Sequence, residues 1–378
     1  MSPRLGLLAS LGIVGLMGCQ GPPPRSDTPP AFVFQALRLR HQDERGRVTW
    51  ELSSPEARYD VRRRLARARQ PLGVIHARGL ARYRLSADTG TVLNDGQLIL
   101  LEGRARIERL EPSPAVIEGR RVRWIPARSE VVIDRKPHAR TGRYRLLAES
   151  AILHTDEDRL ELMGRPQLQR WRQGDAVGRG DPEMALNTGT LRWDLNSGAL
   201  QASGPINLVR RPPGRSPSQP VQGLTATALR GNTAEQWLAL QPPVQLRDPV
   251  EAINLRLGAV RLNLIDLKAA STDPFTGTVA QARVRGRGLS LTLPDAWISV
   301  AAACVLERPD VVLQADRCRW NWRDQSIEAS GAVRLQDSNR RSTTNSQHLQ
   351  GQLGNRAALV FSSPGGRVLS RLPLAQPR

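Results

Sequence analysis

The chain has 378 residues, with 55 Lys plus Arg against 35 Asp plus Glu and a formal charge of +20. Such a length does not limit the core and fits one large or two medium domains. The excess of arginine points to an acidic partner, because guanidinium forks suit phosphate and carboxylate, while an aromatic fraction of 4% argues against binding nucleic acid through stacked bases.

Residues 1–18 read as a signal peptide. Arg4 supplies the positive start, and Leu5 to Met17 form an apolar run too short for a comfortable membrane span. The run ends Leu16-Met17-Gly18-Cys19, which resembles the lipobox of bacterial lipoproteins. That resemblance implies cleavage before Cys19 and acylation of its thiol. Residues 19–31 are a Pro-rich tether that cannot build a core.

The folded part begins at Phe32. Phe32, Phe34, Leu37 and Leu39 alternate along a first strand; Asp43-Glu44-Arg45-Gly46 is a turn, and Val48 to Leu52 is a second strand. From Pro55 to Gln70 the texture changes to a basic stretch, which could be a short helix or a loop on the sheet edge.

A nine-residue frame then recurs. Around Gly204, apolar Leu200, Ala202, Ile206 and Leu208 fall at positions −4, −2, +2 and +4. Gly103 is flanked in the same way by Ile99, Leu101, Ala105 and Ile107. Gly164 has Leu160, Leu162, Pro166 and Leu168, and Gly331 has Ile327, Ala329, Val333 and Leu335. A further copy carries Pro242 at its centre. Period-two alternation puts the apolar set on one face of an extended strand, and a central glycine lets that strand bend or bulge. Polar turns such as Asn94-Asp95-Gly96 and Asn196-Ser197-Gly198 separate the strands. Repetition of the frame predicts an all-β chain. The Pro-rich break at 211–220 divides it into a unit at 32–210 and a second at 221–362, with a flexible tail at 363–378.

Cys304 and Cys318 bracket Glu307-Arg308-Pro309-Asp310, a predicted hairpin turn. They are candidates for a disulfide across it, with two free buried thiols as the alternative. No Gly-x-Ser-x-Gly, His-Glu-x-x-His, Walker or Cys-x-x-Cys motif occurs, and His41, His76, His138, His154 and His348 show no metal spacing. The expectation is a binding and conveying protein with neither catalysis, cofactor nor metal.

Taken together, the anchor, the tether, the segment Trp50-Glu51-Leu52-Ser53-Ser54-Pro55-Glu56-Ala57-Arg58-Tyr59 and the Gly-centred strands resemble the LptC family of lipopolysaccharide-transport proteins and its OstA-like relatives. The resemblance implies an open, twisted, taco-like β-jellyroll, here one long unit or two stacked ones. It implies an apolar groove that accepts acyl chains of lipopolysaccharide or a related glycolipid from an inner-membrane ABC transporter of the LptB2FG type. Edge strands would hand the lipid to an LptA-type bridge protein, and the chain would sit on the periplasmic face of the inner membrane through its lipid anchor. On this reading the groove is lined by Ile99, Leu101, Ile107, Leu160, Leu162, Leu168, Leu200, Ile206 and Leu208. Arg104 and Arg106 face the other way, outside or at the groove rim. The alternative is an envelope scaffold or polyanion-binding lipoprotein that carries no lipid; nucleic acid is not an expected partner of an exported chain.

Overall fold

Thirty-one strands and two single 3-10 turns make up the regular structure of the computed structural model, which describes residues 32–111, 113–213, 220–339, 341–353 and 358–371. Residues 1–31, with the predicted signal peptide, tether and Cys19, lie outside the described residues. The ladders are antiparallel and join into one sheet.

Two classes of strand build that sheet. Eleven described strands of 11–13 residues cross a bend. At the bend the register slips, between Glu102 and Ala105, Ser203 and Ile206, and Ser330 and Val333. Each half of a long strand then takes a different neighbour. In Leu98–Arg109, the first half pairs with Thr89–Leu93 and the second with Leu80–Ser86. The short strands come in couples parted at the same bend, as Arg159–Met163 and Gln167–Arg170 are around Gly164.

The sheet is therefore folded along a spine into two wings, one on each side of the bends. Wing one holds Leu72–Ala77, Leu80–Ser86, the second half of Leu98–Arg109, Gln167–Arg170, the second half of Ala199–Arg210 and Val244–Asp248. Wing two holds Leu65–Arg69, Thr89–Leu93, the first half of Leu98–Arg109, Arg159–Met163 and Trp237–Leu240. Alternate side chains point inward from both wings and meet in a single apolar core that runs from Trp50 to Leu353. Each fully buried Leu or Ile contributes roughly 1.5–3 kcal/mol.

Three sequence expectations change in detail. The basic stretch is a hairpin: Val61–Arg64 is an exposed turn, and Leu65–Arg69 returns as a strand paired with Glu56–Asp60, with Ala66 and Ala68 inward and Arg67 and Arg69 exposed. Arginine at alternate positions leaves the inner face to alanine, so period two prevails over helix propensity. The break at 211–220 joins Ala199–Arg210 to Gln222–Asn232, which pair from Ala199↔Asn232 to Arg210↔Gln222, so the sheet has no seam there; residues 214–219 lie outside the described ones. Finally, the tail returns as Leu369–Arg371 against Thr343–Asn345.

Candidate functional site

The nine predicted groove residues all face inward. Ile99, Leu101, Leu160, Leu162 and Leu200 lie on wing two, and Ile107, Leu168, Ile206 and Leu208 on wing one. None is more than 7% exposed. The two sides of each glycine keep the same face because the inward positions are separated by even numbers of residues across the bend.

Gly103, Gly164, Gly204 and Gly331 stand on the spine with φ between +74° and +96°. A positive φ is the region glycine enters freely. Space is a second reason. A Cβ on Gly103 would lie 2.5 Å from Asp88 Oδ2, and one on Gly331 would lie 2.2 Å from Asp316 Oδ2. Asp88 Oδ2 also accepts the Arg104 amide at 3.1 Å, so the carboxylate caps a backbone donor that the bulge frees from the ladder.

Arg104 and Arg106 do not reach the groove rim. Arg104 pairs with Asp88 outside the bend, the closed side of the V, and Arg106 bonds Glu108 and Glu118 at 2.7 Å on the outer face. The rim is built from other residues. Counting from each glycine, position +6 also falls on the inward parity, and it is Arg109, Arg170 and Arg210 in three successive repeats. Arg109 and Arg170 are buried near the free ends of wing-one strands, and Arg210 is half-buried. This row was legible in the sequence, since a charge on the apolar parity is the informative exception.

The mouth of the V, opposite the spine, is open at its N-terminal end. A cavity of about 670 Å³ lies there between His41, Trp50 and Ile75 of wing one and Asn94, Trp124 and Thr155 of wing two. Trp50 and Trp124 meet edge to face across its floor, with ring centroids 5.5 Å apart, and His41 stacks on the outer side of Trp50 at 5.7 Å. Two glycines make room for these rings. A Cβ on Gly96 would sit 2.8 Å from Trp50 Cη2, and one on Gly73 would sit 2.9 Å from Trp124 Cζ3. Arg64 and Arg78 add positive charge to the rim. An apolar floor under a basic, imidazole-bearing rim suits an amphiphile with an anionic head.

Further along, side chains tie the two wings together across the mouth. Asp158, in the turn after Ser150–His154 on wing two, accepts the Tyr83 phenol at 2.5 Å, Arg82 Nε at 3.1 Å and Arg109 Nε at 3.3 Å, all from wing one. Arg109 Nη1 donates to the carbonyl of Leu195 at 3.0 Å, again on wing two. Burial by itself would raise the Asp158 carboxyl, but the bonds from Arg82, Tyr83 and Arg109 outweigh it and hold the group below the usual carboxylate value. Two more ties follow. Arg143 and Tyr144 bond Gln236 Oε1 and the Thr233 carbonyl at 2.6 and 3.3 Å. Trp322 Nε1 and Arg323 bond the two oxygens of Glu251 at 2.9 and 2.8 Å. Between these last two, a small apolar cavity of about 50 Å³ lies against Leu208, Leu224, Leu246, Leu262 and Leu293.

Cys304 and Cys318 form a disulfide, with Cα atoms 5.9 Å apart. They are not partners across a hairpin. Cys304 faces Ala315 in wing one and Cys318 faces Val300 in wing two, so the bond spans the V inside the core, beside the spine. Trp193 and Trp320 are packing residues, both buried.

Residues 7–119 match the family model described as lipopolysaccharide-assembly, LptC-related. No curated protein matches the chain. Among solved structures it is similar to LptH, the LptA homologous periplasmic component of the conserved lipopolysaccharide transport device from Pseudomonas aeruginosa. The two share 13% identity at a TM-score of 0.27, over 43% of this chain and 95% of that one.

Proposed function

We propose, on the premise that residues 7–119 are LptC-related, that this protein carries lipopolysaccharide between the membranes of the envelope, holding its acyl chains between the two wings. Anchored through Cys19 on the periplasmic face of the inner membrane, it takes the lipid from an inner-membrane ABC transporter and passes it outward. The observation that carries the reading is the N-terminal mouth. Its cavity of about 670 Å³ is lined largely by residues inside the family-matched segment, and it adjoins the apolar core that continues through the chain.

The ends of the sheet support the hand-over. Among the described residues, Phe32–Gln42 pairs on one side only, with Val48–Asp60, and carries exposed Phe32, Val33 and Phe34. At the other end, again among the described residues, Ala358–Ser362 and Leu369–Arg371 pair only with Ser342–Gln352, and Val360 and Leu369 are exposed. Unpaired strand edges with apolar side chains are templates for adding a partner's strand. On this reading the N-terminal edge faces the transporter and the C-terminal edge faces an LptA-type bridge.

The test is photocrosslinking in cells, with a photoreactive residue at Ile75, Leu162 or Leu208 and Arg104 as the outward control. Lipopolysaccharide adducts are expected at the inward positions and not at Arg104. A folded, anchored protein that gave no inward adduct would exclude carriage and favour a scaffold.

A further inference from the structure

We propose that the Asp158 cluster is a gate in the mouth of the V, closed in this structure, which lipid must open to move beyond the N-terminal cavity. The inference rests on the lipid-carrying reading above.

The lining of the N-terminal cavity ends at Thr155 and Asp156, and Asp158 follows in the same turn. The open mouth therefore stops where the cluster begins. The interior is apolar on both sides of it, with Ile75 and Trp124 before and Leu168, Leu186 and Leu208 after. A glycolipid that keeps its chains inside and its sugars outside needs a continuous slit, and the bonded pair interrupts that slit.

The partners sit at the outer ends of the wings, away from the spine. Tyr83 and Arg82 lie near the Ala77–Leu80 turn, Arg109 at the end of its strand, and Asp158, Leu195 and Asn196 in turns. These outer ends can separate without breaking the ladders at the bend. The Arg109 side chain has no exposed surface, and a guanidinium so placed requires an acceptor. When Asp158 withdraws, a phosphate on the lipid head group supplies one to Arg82 and Arg109. The gate thus yields to an anionic lipid more readily than to an uncharged one.

The test uses the anchored full chain with its disulfide intact. Reporter cysteines are placed singly at Ile107, inside the mouth beside the cluster, and at Leu289, deep in the C-terminal half. Thiol alkylation is followed in the parent, in Asp158→Asn and in Tyr83→Phe, which removes one hydrogen bond and keeps the shape. Alkylation at position 107 should rise about tenfold in Asp158→Asn, the scale of a lost charge-assisted hydrogen bond, and less in Tyr83→Phe. Position 289 should not change. A parallel arm adds purified lipopolysaccharide and compares photoadducts at Leu208 with those at Ile75; the ratio should rise with the alkylation rate. Unchanged alkylation at 107, or an equal rise at 289, overturns the gate, because the cluster then either does not hold the wings or merely holds the fold. Adducts at Ile75 with an unmoved Leu208 ratio overturn the gate alone. Absence of adducts even at Ile75 overturns the carrier reading, and the gate with it.

Discussion

Tyr83 and Asp158 stand 75 residues apart in sequence, yet the phenol of one donates to the carboxylate of the other at 2.5 Å across the mouth of the V. Tyr83 is fully buried, and burial together with the bond to Asp158 pushes its phenol above the ordinary value. It stays a neutral donor at any physiological pH.

That pair and its arginines make stability pH-dependent in a definite direction. The Asp158 carboxyl is depressed in the fold against its usual 3.8, so the unfolded chain takes up the proton first as pH falls. The stabilisation is complete above the unfolded value and is lost as pH drops through the folded one. Asp158→Asn should cost about 3 kcal/mol at neutral pH, the scale for breaking a buried pair by removing one partner. In urea titrations the gap between Asp158→Asn and parent should hold down to about pH 5 and shrink below it. A gap that stayed constant into strong acid would mean that the carboxylate is not the stabilising species.

Because the Cys304–Cys318 bond joins the wings inside the core, its removal should loosen the C-terminal half of the V. Replacing both with alanine should lower the unfolding free energy by about 2–3 kcal/mol, as expected for a closed loop of this size. Amide exchange should quicken first in Trp297–Glu307 and Arg317–Asn321. Uniform quickening across the chain would contradict a local staple.

The spine glycines predict a graded series. Gly103→Ala meets both a φ of +96° and a contact with Asp88, and should lose about 1–3 kcal/mol. Gly46→Ala, in the Asp43–Gly46 turn, has a φ of +75° but open space around it, and should lose only about 1 kcal/mol. Thermal unfolding of the two variants ranks them; equal losses would remove the contact from the account.

Charge at the mouth floor should separate binding from folding. Ile75→Asp is expected to lower lipopolysaccharide adducts at Leu208 by about tenfold, since acyl chains would then have to pass an unpaired carboxylate. Arg104→Asp, outside the bend, should leave them unchanged. If the Arg104 variant lost adducts as well, head groups would be tracking the outer face.

Strand facing was legible from the sequence because it is a local property. Period two around each glycine needs no knowledge of the partner strand, and the inward set from Ile99 to Leu208 follows from it. The bends were legible too, since the glycines mark them. The row Arg109, Arg170, Arg210 obeys the same parity and could have been read as a polar rim.

What the chain's own order could not decide is which distant ends meet when the sheet folds onto itself. Asp156 to Asp158 reads as one more polar turn. Only the crossing of the wings sets Asp158 against Tyr83 and Arg109, and only that crossing turns Cys304 and Cys318 from neighbours of one hairpin into a staple between two wings. Alternation determined the faces. The tertiary fold decided which of them touch, where the mouth stays open and where it is tied shut, because those contacts depend on how far each wing closes, and no local pattern encodes that.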